Sequence, residues 1–232
     1  RALDRNEPID GQAVRAALAA RVDDVRDGEP RVGFPALLGD THHEDVRQEL
    51  EERIDADVFE VPTGPPSLPG LRLSDALYEA AEEAGVNITS GHPIVDYEAE
   101  NGRIERVIMD RLEARVPYEA DQYVLATGGP VGGGIESERD VVEESVFGLP
   151  VDHPEDRYDW FDDDVWGDHA YTEFGVTVDD DLHPVADGEV QFENLRAAGG
   201  VIGGYDFATE KSGSGVSLAT GYVAGTEVGE VS

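Results

Sequence analysis

Asn194-Leu195-Arg196-Ala197-Ala198-Gly199-Gly200-Val201-Ile202-Gly203-Gly204-Tyr205-Asp206 is followed at short range by Ser212-Gly213-Ser214-Gly215-Val216. Asn194–Ala198 reads as a short strand and the paired glycines as a loop. Ser212 onward reads as the start of a helix with Val216, Ala219, Val223 and Val228 inward. A helix N-terminus leaves its first N–H groups free with a partial positive charge behind them, which suits an anion or an electron-rich carbonyl. Glycines beside it let the main chain approach a planar or phosphorylated group without a Cβ clash. A second stretch leads to a similar edge: Asp121–Ala126 is a near-continuous apolar strand of the buried type that runs into Thr127-Gly128-Gly129. Open α/β sheets bind ligands at such a carboxyl edge, although a tight turn without a ligand uses the same residues. No G-x-x-x-x-G-K-[ST] occurs and no G-x-G-x-x-G opens a βαβ unit, so the P-loop and the dinucleotide fingerprint are both absent.

Working back along the chain, Leu73, Leu77, Ala80, Ala81 and Ala84 predict a helix closed by Gly85, and Val86–Thr89 a strand. Ile94–Glu100 and Arg103–Asp110 flank Asn101-Gly102, the strongest short hairpin signal, and Ala114–Tyr118 extends the meander. Nearer the start, Gly11–Asp27 reads as an amphipathic helix with Val14, Leu18, Val22 and Val25 on one face, ended by Pro30. Val32–Leu38 reads as a strand entering a loop. Thr41-His42-His43-Glu44 matches the capping box, and Val46, Leu50 and Ile54 share a face of the helix behind it. Val58–Val61 is a strand, and residues 62–70 are a stiff loop with four prolines. Phe174–Val178 and His183–Val185 form a second hairpin about Asp179–Leu182. The expected class is α/β (α+β mixed).

With 232 residues the chain can bury a sizeable core, as one large domain or two small ones. Its net charge is −35, and a single lysine, Lys211, stands among 17 cationic residues. Such a surface disfavours nucleic acid, whose phosphates need clustered cations, and disfavours an anionic membrane face. No apolar run is long enough to span a bilayer, and cysteine is absent, which removes disulfides and thiolate metal sites. Dense carboxylates with almost no lysine resemble the surface of a halophile's protein. Molar salt shortens the Debye length from about 10 Å at 0.1 M to about 3 Å and screens the self-repulsion. The chain starts at Arg1 with no signal-peptide pattern, as expected of a fragment.

From Leu73 to Gly129 the order is a helix ending in Ala-Gly-Val, a strand, a hairpin at Asn101-Gly102 and a strand into Ala-Thr-Gly-Gly. This resembles the return into the flavin domain of the fumarate-reductase-like FAD oxidoreductases. Asn194–Gly225 resembles their last flavin motif. Within that superfamily the chain is similar to the B subunits of anaerobic glycerol-3-phosphate dehydrogenases. The residues that carry this are Gly33–Gly39 before His42-His43, the loop 62–70, Phe147-Gly148-Leu149-Pro150 and Ile202–Asp206. The resemblance implies part of a two-domain flavoprotein. Residues 1–70 would be a cap or substrate-side region, 71–129 the return into the flavin domain, 130–192 a second cap region and 193–232 the closing strand and helix.

The resemblance also implies FAD or FMN as cofactor, lined by Thr127, Gly128, Gly129, Gly199, Gly200, Gly203, Gly204, Asp206, Ser212, Gly213, Ser214, Gly215 and Ser217. It implies oxidation of sn-glycerol 3-phosphate to dihydroxyacetone phosphate, with electrons passed towards quinone. A catalytic A subunit and a membrane-associated iron–sulfur C subunit would be the partners, at the cytoplasmic face of the membrane. A non-catalytic electron-transfer or assembly role is the alternative, as is another oxidoreductase of the superfamily. The family's N-terminal glycine fingerprint is missing, so the ADP half of FAD has no cradle in these residues. No catalytic residue is evident; His42 and His43 are candidates for substrate or subunit contact, Arg72 and Lys211 for contact with phosphate or flavin, and each reads first as a surface residue. His153, His169 and His183 fit no zinc spacing, and no metal is expected.

Overall fold

The computed structural model describes residues 2–9, 11–64, 67–112, 114–139 and 141–230. The chain divides into two compact units, Arg1–Thr89 and Ser90–Ser232. The first is built on a β-α-β unit: β1 (Arg31–Pro35) pairs in parallel with β2 (Asp57–Val61), from Arg31 opposite Asp57 to Pro35 opposite Val61. The connecting helix, His43–Ile54, buries Val46, Leu50 and Ile54 completely against Phe34, Leu38, Val58 and Ala19, as their spacing predicts.

An earlier helix, Val14–Asp23, is shorter than its apolar pattern suggests. Gly11 has φ +82°, and Gln12–Ala13 pairs with Pro8–Ile9 instead of continuing the helix. Val25 is 74% exposed, beyond the helix end. The capping box does not form. The helix after it begins at His43 with no side-chain cap. The amide of His42 instead donates to Asp4 Oδ1 at 2.8 Å, and Glu44 turns outward to Arg47, three residues on. The helix starts later than the box requires, leaving Thr41 before the N-cap His42, and Asp4 holds the amides of Asp40 and His42 on either side of Thr41.

Of the proline loop, Pro65 and Pro66 lie outside the described residues. Its end is helical: Ser67 Oγ accepts from the Gly70 amide at 3.2 Å and opens the helix Leu68–Glu83, with Pro69 in the first turn. Gly85 closes that helix at φ +77°. Its amide donates to Glu82 O and that of Val86 to Ala81 O, both at 2.9 Å, the two bonds of a Schellman motif. The strand expected at Val86–Thr89 is absent. Val86 and Ile88 are 54% and 44% exposed, and no described strand lies beside them to complete a ladder.

The second unit opens with the antiparallel meander β3 (Ile94–Glu100), β4 (Arg103–Arg111) and β5 (Ala114–Glu119). Asn101 and Gly102 have φ +51° and +75°, the pair of positive values a type I′ hairpin requires. β6 (Tyr123–Leu125) pairs in parallel with β9 (Leu195–Ala197), and between them in the chain a hairpin joins β7 (Ile135–Ser137) to β8 (Val142–Glu144). β6 is half-buried rather than buried on both faces. Leu125 is covered, but Val124 is 45% exposed in a sheet of two described strands. The expected hairpin about Asp179–Leu182 is present as one bridge, Val178 opposite Pro184, and a second tight turn follows at Asp187-Gly188.

Asn194 joins the meander to this pair. Its side chain is buried, accepts from the Ile104 amide and donates to the Ile104 carbonyl, each at 2.9 Å. Asn194→Ala would orphan both groups. The expected loss is about 2–4 kcal/mol in chemical denaturation, and a loss under about 0.5 kcal/mol would contradict that role. The core continues through two aromatic clusters, Tyr97–Phe147–Phe192 and His153–Trp160–Phe174, with ring centroids 5.0–6.1 Å apart.

The closing helix α1, Gly213–Glu230, buries only part of the predicted face. Val216, Thr220 and Ala224 turn inward, while Ala219 and Val223 are exposed, as are Leu218 and Tyr222 at 76% and 73%. A helix apolar on all sides gives periodicity nothing to select. The inward face is set by Thr220, whose Oγ1 accepts from the Gly199 amide at 2.8 Å.

Candidate functional site

The two glycine edges meet. Ala198 N donates to Leu125 O at 2.8 Å, which carries the parallel pairing of β6 and β9 into the loops beyond. There the main chains touch: a Cβ on Gly129 would lie 2.6 Å from the Gly200 carbonyl oxygen. Gly128 adopts φ +86° and reverses the chain, and the amides of Gly132 and Gly134 both donate to Gly129 O. Thr127 packs against Gly134, where a Cβ would fall 1.9 Å from Gly128 O and 2.6 Å from Thr127 Oγ1.

This coil is anchored from behind. Ser145 N and Oγ donate to Gly134 O and Gly133 O, each at 3.1 Å. Its neighbour Glu144 is fully buried and accepts from the amides of Val146 and Phe147 at 2.9 and 2.6 Å. Burial pushes the Glu144 carboxyl above its ordinary value. The two amides oppose that shift, and Glu136 and Glu143 add to it.

On the other strand, Gly203 lies against Gly175, whose Cβ would meet Gly203 N at 2.3 Å, while Gly199 and Gly204 hold φ +74° and +81°. The first requirement for these glycines is therefore the chain's own packing. Gly213 and Gly215 differ: nothing lies within 4 Å of a Cβ built on either. Together with Ser214 they supply the first-turn amides of α1, which have no helical acceptor.

Gly129, Gly200, Gly213 and Ser217 surround a pocket of about 240 Å³ closed by Phe174 and Tyr205. Its lining is mostly apolar. Burial raises the Tyr205 pKa, so its phenol stays a donor across the neutral range. A complete small-molecule site usually encloses roughly 300–1,000 Å³, so these residues form one wall of such a site. The wall fits a flat, electron-rich ring: open glycines and free helix amides on one side, aromatic carbon on the other.

The remaining candidates divide. Gly203 and Gly204 line a neighbouring pocket of about 530 Å³ with Asp152, His153 and Glu173. Asp206 caps the turn Phe207–Glu210, accepting from Ala208 N and Thr209 N at 2.9 Å. Ser212 Oγ donates to Glu210, and Lys211 Nζ donates to Ala208 O. Ser217 Oγ donates back to Gly213 O at 2.9 Å. Thr172, Phe174, Tyr205 and Phe207 were not singled out by sequence reasoning, since single residues at irregular spacing carry no motif. Among the described residues no group of three His, Asp or Glu side chains could hold a metal ion, and no helix is long and apolar enough to cross a membrane.

His42, His43 and Arg72 lie in the first unit, committed to its own contacts. His42 faces Asp4, and His43 Nδ1 lies 3.2 Å from Asp40 O. Arg72 bonds the Gly39 carbonyl and pairs with Glu60 at 2.6 Å, both side chains being mostly buried. Burial pushes Glu60 up, but Arg72 and the Leu38 amide outweigh it, leaving the carboxyl below its ordinary value. Glu49 is lowered by Arg15, and Asp4 by the His42 amide. Depressed carboxylates contribute stability above their unfolded pKa and lose it as pH falls through the folded one. The melting temperature of the first unit should therefore fall once pH drops below about 4. A flat profile down to about pH 2 would contradict these pairs.

Strand edges meeting over paired glycines at a helix N-terminus define a cofactor-binding α/β protein. The family described as FAD binding domain matches residues 6–216, and the chain belongs to that family. FAD is thus the cofactor of its family. The chain is 54% identical to a protein of Halobacterium salinarum named as a probable B subunit of anaerobic glycerol-3-phosphate dehydrogenase, over 98% of this chain and 55% of that protein. Two proteins named as B subunits of anaerobic glycerol-3-phosphate dehydrogenase are also similar. That of Pectobacterium atrosepticum is 34% identical over 94% of this chain and 51% of its own. That of Vibrio cholerae is 31% identical over 88% and 46%. The chain spans about half the length of the curated relatives it matches. No solved structure matches it.

Proposed function

We propose that the complete protein is a flavin-dependent subunit that oxidises sn-glycerol 3-phosphate to dihydroxyacetone phosphate and passes the electrons towards quinone. The observation that carries this reading is the wall formed by Gly129, Gly200 and the open amides of α1, in a chain whose relatives are named for that dehydrogenase. Bound FAD supplies the hydride acceptor. With it bound, the carbinol C2–H would be given up as hydride to that acceptor and the hydroxyl proton to solvent, leaving the ketone. Phe174 and Tyr205 would exclude water from one side of the ring, and the Gly213–Gly215 amides would favour negative charge on the other.

The relatives' designation as B subunits supports a multi-subunit assembly. In this reading a catalytic A subunit and an iron–sulfur C subunit complete it and hold it peripherally at the cytoplasmic face of the membrane. One observation favours a second reading, in which the protein serves electron transfer or assembly: among the described residues the pocket is lined by no imidazole, carboxylate or amine that could take the hydroxyl proton. Anaerobic addition of glycerol 3-phosphate to the isolated, flavin-loaded complete protein separates the two. Bleaching of the flavin supports the dehydrogenase. A flavin that stays oxidised until the A subunit is added supports the relay.

A further inference from the structure

Away from the glycine edge, one pocket concentrates cations that the rest of the surface pairs off. In so acidic a chain an exposed guanidinium has carboxylates within easy reach, and most arginines use them or bond a carbonyl, an amide or a ring. Among the described residues, the arginines with no ion pair, hydrogen bond or ring contact are Arg111, Arg139 and Arg157. Two of these three line the same pocket of about 480 Å³, with Ser137, Glu138, Trp160 and Phe161.

The frame around them is fixed. Arg139 sits at the tip of the β7–β8 hairpin, closed by Glu138 N donating to Val141 O at 2.9 Å. Arg157 opens the short turn Arg157–Trp160, which Asp156 caps by accepting from Tyr158 N at 3.0 Å. The floor is Trp160, 6% exposed, its indole N–H on Pro154 O at 2.8 Å and its ring edge-on to Phe174 at 5.6 Å. Phe174 in turn lines the pocket at the glycine edge. Two arginines and one carboxylate, Glu138, line this pocket, so its lining carries a net positive charge. The planar guanidinium forks match the oxygens of a dianion, with the Ser137 hydroxyl as a further donor.

We propose that this pocket binds the phosphoryl group of a phosphomonoester, held between Arg139 and Arg157. The choice of a phosphomonoester rests on the dehydrogenase reading. The site itself rests on the two arginines alone.

The test is calorimetric titration of the complete protein in molar KCl with inorganic phosphate, glycerol 3-phosphate and glycerol. Saturable binding of phosphate and of the ester, each competing with the other, and none of glycerol, is expected. Arg139→Gln and Arg157→Gln should each weaken phosphate at least about tenfold with unchanged melting temperature, and Arg111→Gln should not weaken it. Wild-type affinity in both pocket variants, an equal loss in Arg111→Gln, or glycerol binding as well as its phosphate would each overturn the proposal. If phosphate binds as stated but glycerol 3-phosphate never reduces the flavin, the dehydrogenase reading fails and the anion site stands. If the flavin bleaches while both variants bind normally, the site fails alone.

Discussion

Gly134→Ala is expected to destabilise the second unit by about 3 kcal/mol or more and to abolish flavin retention. The added methyl would stand 1.9 Å from the Gly128 carbonyl oxygen and 2.8 Å from Thr127 C. Both are main-chain atoms held by the Gly134–Gly129 hydrogen bond and by Ser145, so no rotamer change relieves the clash. Gly213→Ala is the counterpart. Its methyl meets nothing within 4 Å, and alanine is the better helix former, so stability should hold or rise by up to about 1 kcal/mol. The methyl nonetheless enters the pocket beside Ser217, and FAD affinity should fall about tenfold. Denaturation curves and flavin content together read both variants. Equal stabilities for Gly134→Ala and wild type would refute the packing account, and undiminished FAD affinity in Gly213→Ala would remove α1 from the site.

The second large effect is on salt. At net charge −35 the folded surface repels itself, and the single lysine leaves little to neutralise it locally. Arginine pairs such as Arg47 with Glu44 and Glu51 offset a part. The Arg47 hydrogen bond brings the Glu44 carboxyl down to about 2, but Glu44 is solvent-exposed and its contribution is screened. Cooperative melting in about 2 M KCl that moves sharply down, or disappears, near 0.1 M is the expected result, since the Debye length grows from a few ångströms to about 10 Å. A melt unchanged across that range would show that the acidic surface is not an adaptation to salt.

These outcomes also show what the amino-acid pattern could reveal. Val46, Leu50 and Ile54, the Asn101-Gly102 turn and the Gly85 helix stop were legible because each rests on local spacing or a local φ requirement. The strand at Val86–Thr89 failed because a strand needs a neighbour, which no local pattern supplies. The Thr41 capping box failed for a related reason: Asp4, nearly forty residues away in sequence, holds the amides flanking Thr41, and the helix starts only at His43. At the site, Gly129, Gly200 and Gly213 were visible as glycines, but not what each glycine serves. Main-chain contact at Gly129 and open space at Gly213 differ only in three dimensions. The wall formed by Phe174 and Tyr205 was not visible, although Tyr205 stands inside the glycine stretch, because aromatics brought together from separate loops leave no motif. Arg139 and Arg157 look like ordinary surface charges until their lack of carboxylate partners is seen.

The central claim is that the edge formed by Gly129, Gly200 and the N-terminus of α1 holds FAD. The direct measurement is the visible absorption spectrum of the complete protein purified in molar KCl, repeated for Gly213→Ala after equilibration with limiting FAD. The account predicts flavin bands in the wild type and a clearly smaller bound fraction in the variant at equal folded content. A colourless wild-type protein that takes up no FAD on reconstitution would contradict it.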